Sequence, residues 1–131
     1  TPIVVEHNAI VERWNDFLVS YNAIDGTEPE EIDARAQDGF ALTTSAATDA
    51  QSVIRSWDQV VPPEELAEAH RLAREAILET QNGFVELSDY FQLVMEYGVA
   101  FEHAAVEGRE RLEHAAELWD EARRAAESAA N

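Results

Sequence analysis

Between Pro62 and Gly98 the chain reads PPEELAEAHRLAREAILETQNGFVELSDYFQLVMEYG, and this stretch decides the fold. Pro62 and Pro63 forbid continuation of a preceding helix, and Glu64 and Glu65 favour the positive N-terminal end of a new one. From there an apolar stripe runs through Leu66, His70, Ala73, Ile77, Thr80, Phe84, Leu87, Phe91, Val94 and Gly98, in alternating steps of four and three residues. That is the seam of a helix packed in a bundle. Asn82-Gly83 would usually stop a helix. Here the stripe keeps its phase from Thr80 to Phe84 and Leu87, so the pair reads as a tolerated weak point. One member of the seam is a histidine, which an inert seam does not need.

Working outward, Thr1 can cap a first helix with Pro2 at its favoured first position. The seam Ile3, His7, Ile10, Trp14, Phe17, Tyr21, Ile24 follows, widened by Val4, Val11 and Leu18, and Asp25-Gly26 ends it. Thr27 and Glu30 have capping-box spacing, so a second helix is expected from about Glu28 to Val60. Its seam is thinner: Ile32, Ala36, Gly39, Thr43, Ala46, Ala50, Val53, Trp57, with Phe40, Ala47, Ile54 and Val61 alongside. Small residues at Ser45, Ala46 and Ala47 allow a close neighbour. Gly39 and the run Thr43-Thr44-Ser45 weaken helix propensity, which predicts a bend or fraying there.

Beyond Gly98 the pattern continues in phase through Phe101, Ala105, Gly108, Leu112, Ala115, Trp119, Ala122 and Ala126. An unbroken helix from Pro63 to Ser128 would be on the order of 100 Å long, too long to bury its seam within a compact domain of this size. A tight turn at Tyr97-Gly98-Val99 and a fourth helix from about Ala100 are therefore expected. The reading is an all-α protein: an antiparallel up-down-up-down four-helix bundle, one domain over residues 1–131. The alternative keeps the third and fourth helices continuous as a long rod and requires a dimer.

Composition narrows function. The 131 residues carry 27 Asp and Glu against nine Arg and no Lys, a formal charge of -18. Nucleic-acid phosphate and anionic lipid surfaces are then repulsive partners. With no cysteine, disulfides, thiolate metal sites, covalent c-type haem and cysteine nucleophiles are excluded. No run approaches the roughly 18 apolar residues of a transmembrane helix. A chain opening Thr1-Pro2 fits the mature product of a cleaved leader or a trimmed chain.

Catalytic and metal motifs are equally sparse. Ferritin-like di-iron bundles use Glu-x-x-His on two helices, but the residues three before His7, His70, His103 and His114 are Val4, Ala67, Ala100 and Arg111. His103, Glu107, Glu110, His114, Glu117 and Glu121 form a ladder on the fourth helix, which reads as a solvated face. The serines lack a nucleophile-elbow setting and no phosphate-binding glycine loop exists. No enzyme, metal or cofactor is expected.

The candidate site is instead aromatic and apolar. His7 lies five residues beyond Pro2 and His70 seven beyond Pro63. On parallel first and third helices this puts them within roughly one turn of each other. The antiparallel second and fourth helices bring Trp57 and Trp119 to the same depth. His7, His70, Trp57 and Trp119 are therefore the candidate ligand-binding residues. A buried imidazole there needs an indole N–H, Ser56, a water or the other histidine as partner.

The run Pro62-Pro63-Glu64-Glu65-Leu66-Ala67-Glu68-Ala69-His70, after a Trp-containing stretch Ser56-Trp57-Asp58, resembles a segment of uncharacterised bacterial secreted proteins and lipoproteins. The resemblance spans roughly Val53 to Ala126 and implies an extracytoplasmic helical domain, secreted or periplasmic, with no catalytic role. The lipoprotein cysteine of that group is missing here, which leaves a cytoplasmic location as the alternative. The functional expectation is a non-enzymatic protein-interaction or oligomerisation module whose partner is another protein or a second copy. A small-molecule sensor or carrier with a pocket near His7 and His70 is the alternative.

Overall fold

A computed structural model describes residues 2–22, 29–97 and 102–130. Four helices account for nearly all of them: α1 (Pro2–Asn22), α2 (Pro29–Asp58), α3 (Ala67–Tyr97) and α4 (Glu102–Ala130). A single 3-10 turn, Glu64–Leu66, leads into α3. The protein is an all-α four-helix bundle. The Thr1 cap, the Asp25-Gly26 stop, the Thr27–Glu30 capping box, Phe101 and the turn around Gly98 lie outside the described residues, as do the side chains of Tyr21 and Ile32.

Side-chain pairs across the helices fix the register. Arg13 of α1 meets Asp49 of α2 at 2.6 Å, Arg74 of α3 meets Asp58 at 2.7 Å, and Arg111 of α4 meets Glu86 of α3 at 2.6 Å and Glu79 at 3.1 Å. Residue numbers rise on one helix as they fall on the next, which is the up-down-up-down order. The continuous rod is thereby overturned: α3 and α4 lie antiparallel against each other, because only folding back buries both seams.

The α3 seam forms the centre of the bundle. Ile77 and Phe84 are completely buried, and Ala73, Thr80, Leu87, Phe91 and Val94 nearly so. Around them pack Ile10 and Trp14 from α1 and Ala36, Ala46, Ala50 and Val53 from α2. Trp14 places its ring edge-on to Phe84 and Phe91, at centroid distances of 5.8 and 6.4 Å. Such pairs contribute about 0.5–1.5 kcal/mol beyond the area they bury. A second cluster, Leu72, Ala73, Ala76, Leu118 and Ala122, joins α3 to α4, and Trp57 and Trp119 touch both clusters. Leu118 stands beside the expected α4 seam and is buried with it.

Two glycines set how closely α3 and α4 approach. A Cβ at Gly83 would lie 3.1 Å from the Gly108 carbonyl oxygen, and one at Gly108 would lie 2.6 Å from Leu87 Cγ and 3.1 Å from the Gly83 carbonyl oxygen. The apparent weak point at Asn82-Gly83 is thus the crossing point of two backbones, and α3 is helical through it.

On α2 the expected fraying does not occur: the helix is unbroken across Gly39 and Thr43. Gly39 lies directly under the Phe91 ring, where a Cβ would come within 2.5 Å. Thr43 and Thr48 donate their hydroxyls to the carbonyls of Gly39 and Thr44, at 2.8 and 3.1 Å. The threonines therefore bond back within their own helix, and Phe91 holds Gly39 in place, so propensity is overridden by packing. The helix stops at Asp58, short of Val60, and Val61 is 90% exposed rather than alongside the seam.

Apart from the half-buried pairs of Arg111 with Glu79 and Glu86, the ion pairs named here lie at the surface, where each contributes little. They leave a large net negative charge uncompensated. Raising salt from about 10 mM to about 0.15 M, which shortens the screening length to roughly 8 Å, is expected to raise the melting temperature. A melting temperature that stays flat to about 0.5 M would mean that local pairing already offsets the repulsion.

Candidate functional site

α1 packs its backbone closely against α2 and reaches α3 and α4 mainly through long side chains. The result is a groove between α1 and α4, with α3 as its floor. His7 lies at this groove because it occupies the seam of α1 one turn before Ile10, and it is only 3% exposed.

The four residues expected to share a layer do meet. The His7 and Trp119 ring centroids are 5.0 Å apart, Trp119 and Trp57 are 6.1 Å apart and edge-on, and Trp57 stacks on His70 at 4.8 Å. The histidines occupy the two ends of this run, and the tryptophans form its middle. Antiparallel register explains the arrangement, because Trp57 ends α2 and Trp119 lies late on α4, both level with the starts of α1 and α3.

The hydrogen bonds of the two imidazoles differ. His7 Nε2 lies 2.8 Å from Thr80 Oγ1 and accepts from Trp119 Nε1–H at 3.3 Å. Ser56 is not the partner; Thr80, a polar residue within the apolar α3 stripe, is. Its hydroxyl also lies 2.9 Å from the Ala76 carbonyl oxygen. His7 Nδ1 is buried without a hydrogen bond among the described residues. Burial lowers the His7 pKa from 6.5 to about 4, opposed by the hydrogen-bonding side chain of Asn8, so the ring is neutral near pH 7. At the other end, the His70 carbonyl oxygen accepts from Trp57 Nε1–H at 3.1 Å, and His70 Nε2 is buried without a hydrogen-bond partner among the described residues.

Trp119 separates two cavities. The first, about 670 Å³ and open to solvent on one side, is lined by His7, Trp14, Thr80, Phe84, Leu112 and Trp119, together with Asn8, Glu12, Arg109 and Glu113. The second, about 740 Å³, is lined by Trp57, His70, Trp119, Leu66, Ala73 and Ala122, together with the connecting residues Val60 to Pro63. Asn8, Ala116 and Trp119 border both. One pocket near both histidines was expected; the structure gives each histidine its own, because the Trp119 indole fills the space between them.

The acidic ladder of α4 is not purely a solvated face. His114 Nδ1 lies 3.0 Å from Glu79 Oε2 of α3, and this carboxylate raises the His114 pKa above its usual value. Arg111 joins the same carboxylate. The His103 side chain lies outside the described residues, and among the described residues no group of three or more His, Asp or Glu is arranged to hold a metal ion. No described helix is long and apolar enough to cross a membrane.

Three contributors escaped the reading of the sequence. Thr80 was visible as a polar interruption of an apolar seam, a signal that a buried partner exists. Asn8 and Arg109 gave none, since polar residues on exposed helix faces are the ordinary case. Comparison with protein-family profiles, with curated proteins and with solved structures finds no match to this chain.

Proposed function

We propose that this domain is a non-enzymatic binding bundle that holds a small molecule in the groove between α1 and α4. The observation that carries this reading is the pair of cavities, about 670 and 740 Å³, on either side of Trp119. Their size falls within the range of about 300–1,000 Å³ of small-molecule pockets, and their walls are mainly aromatic and aliphatic with a few polar groups. Native mass spectrometry of the purified protein should find a retained small molecule, or a thermal-shift screen a stabilising one. At a hundredfold excess over its Kd, such a ligand adds about 2.7 kcal/mol of stability. Trp119→Ala, which removes the wall common to both cavities, should abolish that stabilisation. A protein that retains nothing and is stabilised by no neutral, anionic or cationic compound would sink the proposal.

A second reading, a protein-interaction or oligomerisation module, is favoured by one observation. Val60 and Val61, 44% and 90% exposed, border the second cavity beside Pro62 and Pro63, and Val5 of α1 is 67% exposed. Sedimentation of the wild type and of Val61→Glu tests it: an oligomer that dissociates in the variant supports this reading, and a monomer in both removes self-association. The extracytoplasmic setting implied by the Pro62–His70 resemblance is part of the proposal, and fractionation of the source cells tests it.

A further inference from the structure

We infer that the second cavity, beside Trp57 and Trp119, takes an unbranched hydrocarbon chain carried by a molecule with an uncharged head. This inference rests on reading the cavities at Trp119 as small-molecule sites, and it names the cavity used and the chemistry of its occupant.

The shape of the space follows from the residues along it. On α4 the cavity is bordered from Ala116 to Ala126, a length of roughly 15 Å at 1.5 Å per residue. Its 740 Å³ spread over that length leaves a mean cross-section of about 50 Å², so the space is longer than it is wide. Alanines make the trough: Ala69 and Ala73 of α3 and Ala122 and Ala126 of α4 stop short of filling the space between their helices. Leu66, Trp57 and Trp119 supply the large apolar walls. Val60 and Val61, both exposed, continue the apolar surface at the connection between α2 and α3, which Pro62 and Pro63 stiffen. An extended chain advances about 1.3 Å per bond, a third of the 3.8 Å between successive Cα atoms, so roughly 12 carbons fill the trough.

The polar groups around this space are already engaged. Trp57 gives its indole N–H to the His70 carbonyl at 3.1 Å, and Trp119 gives its own to His7 Nε2 at 3.3 Å, so neither indole has a donor left for a ligand. The His70 ring is stacked on Trp57, and its Nε2 is covered. Besides His70, the titratable side chains bordering the cavity are Asp120 and Arg123. They are bonded to each other, and Asp120 also takes Arg124 at 2.9 Å. A charged head would have to break the Arg123–Asp120 pair or stand without a partner beside carbon walls. An uncharged head meets neither cost, and the chain supplies the binding through the apolar area it removes from water.

A homologous series tests this: 1-hexanol, 1-octanol and 1-decanol, each titrated into the whole protein and followed by calorimetry, with decanoate and decyltrimethylammonium as charged counterparts. Each added CH2 should tighten binding about fourfold, so 1-decanol should exceed 1-hexanol by roughly 200-fold. At about 0.15 M salt, 1-decanol should also bind at least about tenfold more tightly than either ion. The indole N–H resonances locate the chain: Trp57 should shift, whereas Trp14, which lines only the first cavity, should not. Ala126→Leu shortens the trough at one end and should weaken 1-decanol about tenfold while sparing 1-hexanol. The series and the resonances need no variant, so the inference stays exposed to test even where Ala126→Leu does not fold. Affinity that ignores chain length, an ion binding best, a shift of Trp14 in place of Trp57, or full 1-decanol affinity in Ala126→Leu would each overturn the inference while leaving the groove a small-molecule site. If no alkyl probe binds, the inference fails, and the screen for retained or stabilising compounds decides separately whether the groove holds a small molecule.

Discussion

Lowering the pH from about 7 to about 4 weakens the fold by about 3 kcal/mol through His7 alone. In the folded protein burial holds the His7 pKa at about 4, whereas in the unfolded chain it returns to 6.5. Between those values the unfolded chain binds a proton that the folded chain refuses. Stability therefore falls as the pH drops through the window from 6.5 to about 4, and this contribution is complete at higher pH. The other charged groups lining the His7 cavity are Glu12 and Glu113 of α1 and α4 and Arg109 of α4, all exposed, and α3 contributes only Thr80 and Phe84. They screen the ring weakly from the rim. Many carboxylates also titrate below pH 5, so the measurement is a difference: urea unfolding of the wild type and of His7→Gln at several pH values. Gln cannot take up a proton, and its curve should be flatter by about 3 kcal/mol over the window. Parallel losses in the two proteins would show that His7 is not buried in its neutral form.

Replacing Gly108 by Leu is expected to cost about 3 kcal/mol, the upper part of the usual range for overpacking. A Cβ alone would come within 2.6 Å of Leu87 Cγ and 3.1 Å of the Gly83 carbonyl oxygen. The leucine of α3 can rotate, but the backbone oxygen cannot, so the two helices must separate along their tightest contact. Helix propensity acts in the opposite direction, favouring Leu over Gly by several tenths of a kcal/mol. The sign of the result therefore tells which effect wins. Glu110→Leu on the exposed face of α4 is the control and should change stability by less than about 0.5 kcal/mol. A Gly108→Leu protein as stable as the wild type would mean that α3 and α4 do not cross at Gly83 and Gly108. The crossing also packs Leu112, which lines the groove, against Gly83, so the variant should lose any ligand-dependent stabilisation together with its stability.

Sequence by itself determined the number of helices, their approximate limits and the faces they bury. The reason is that a helix places every third and fourth residue on one side, so burial leaves a periodic trace in the chain. The α3 seam from Ala73 to Val94 is buried throughout its predicted positions. Counting residues from Pro2 and Pro63 also placed His7, Trp57, Trp119 and His70 at one level, because rise per residue is constant and the loops are short. What the pattern could not contain is lateral geometry. Only packing showed that α1 leans on α2 and leaves a groove beside α4, or that Trp119 divides the space between the histidines into two cavities. Gly83 reads in the sequence as a tolerated weak point and Gly39 as a source of bending or fraying, yet each is a point of close contact, which depends on what a distant residue brings up against it. The same holds for Thr80: its place in the stripe was legible, but its role follows from an imidazole that the chain delivers from 73 positions away. Periodicity is local and survives in one dimension, whereas contacts between helices depend on rotations and separations that no local spacing encodes.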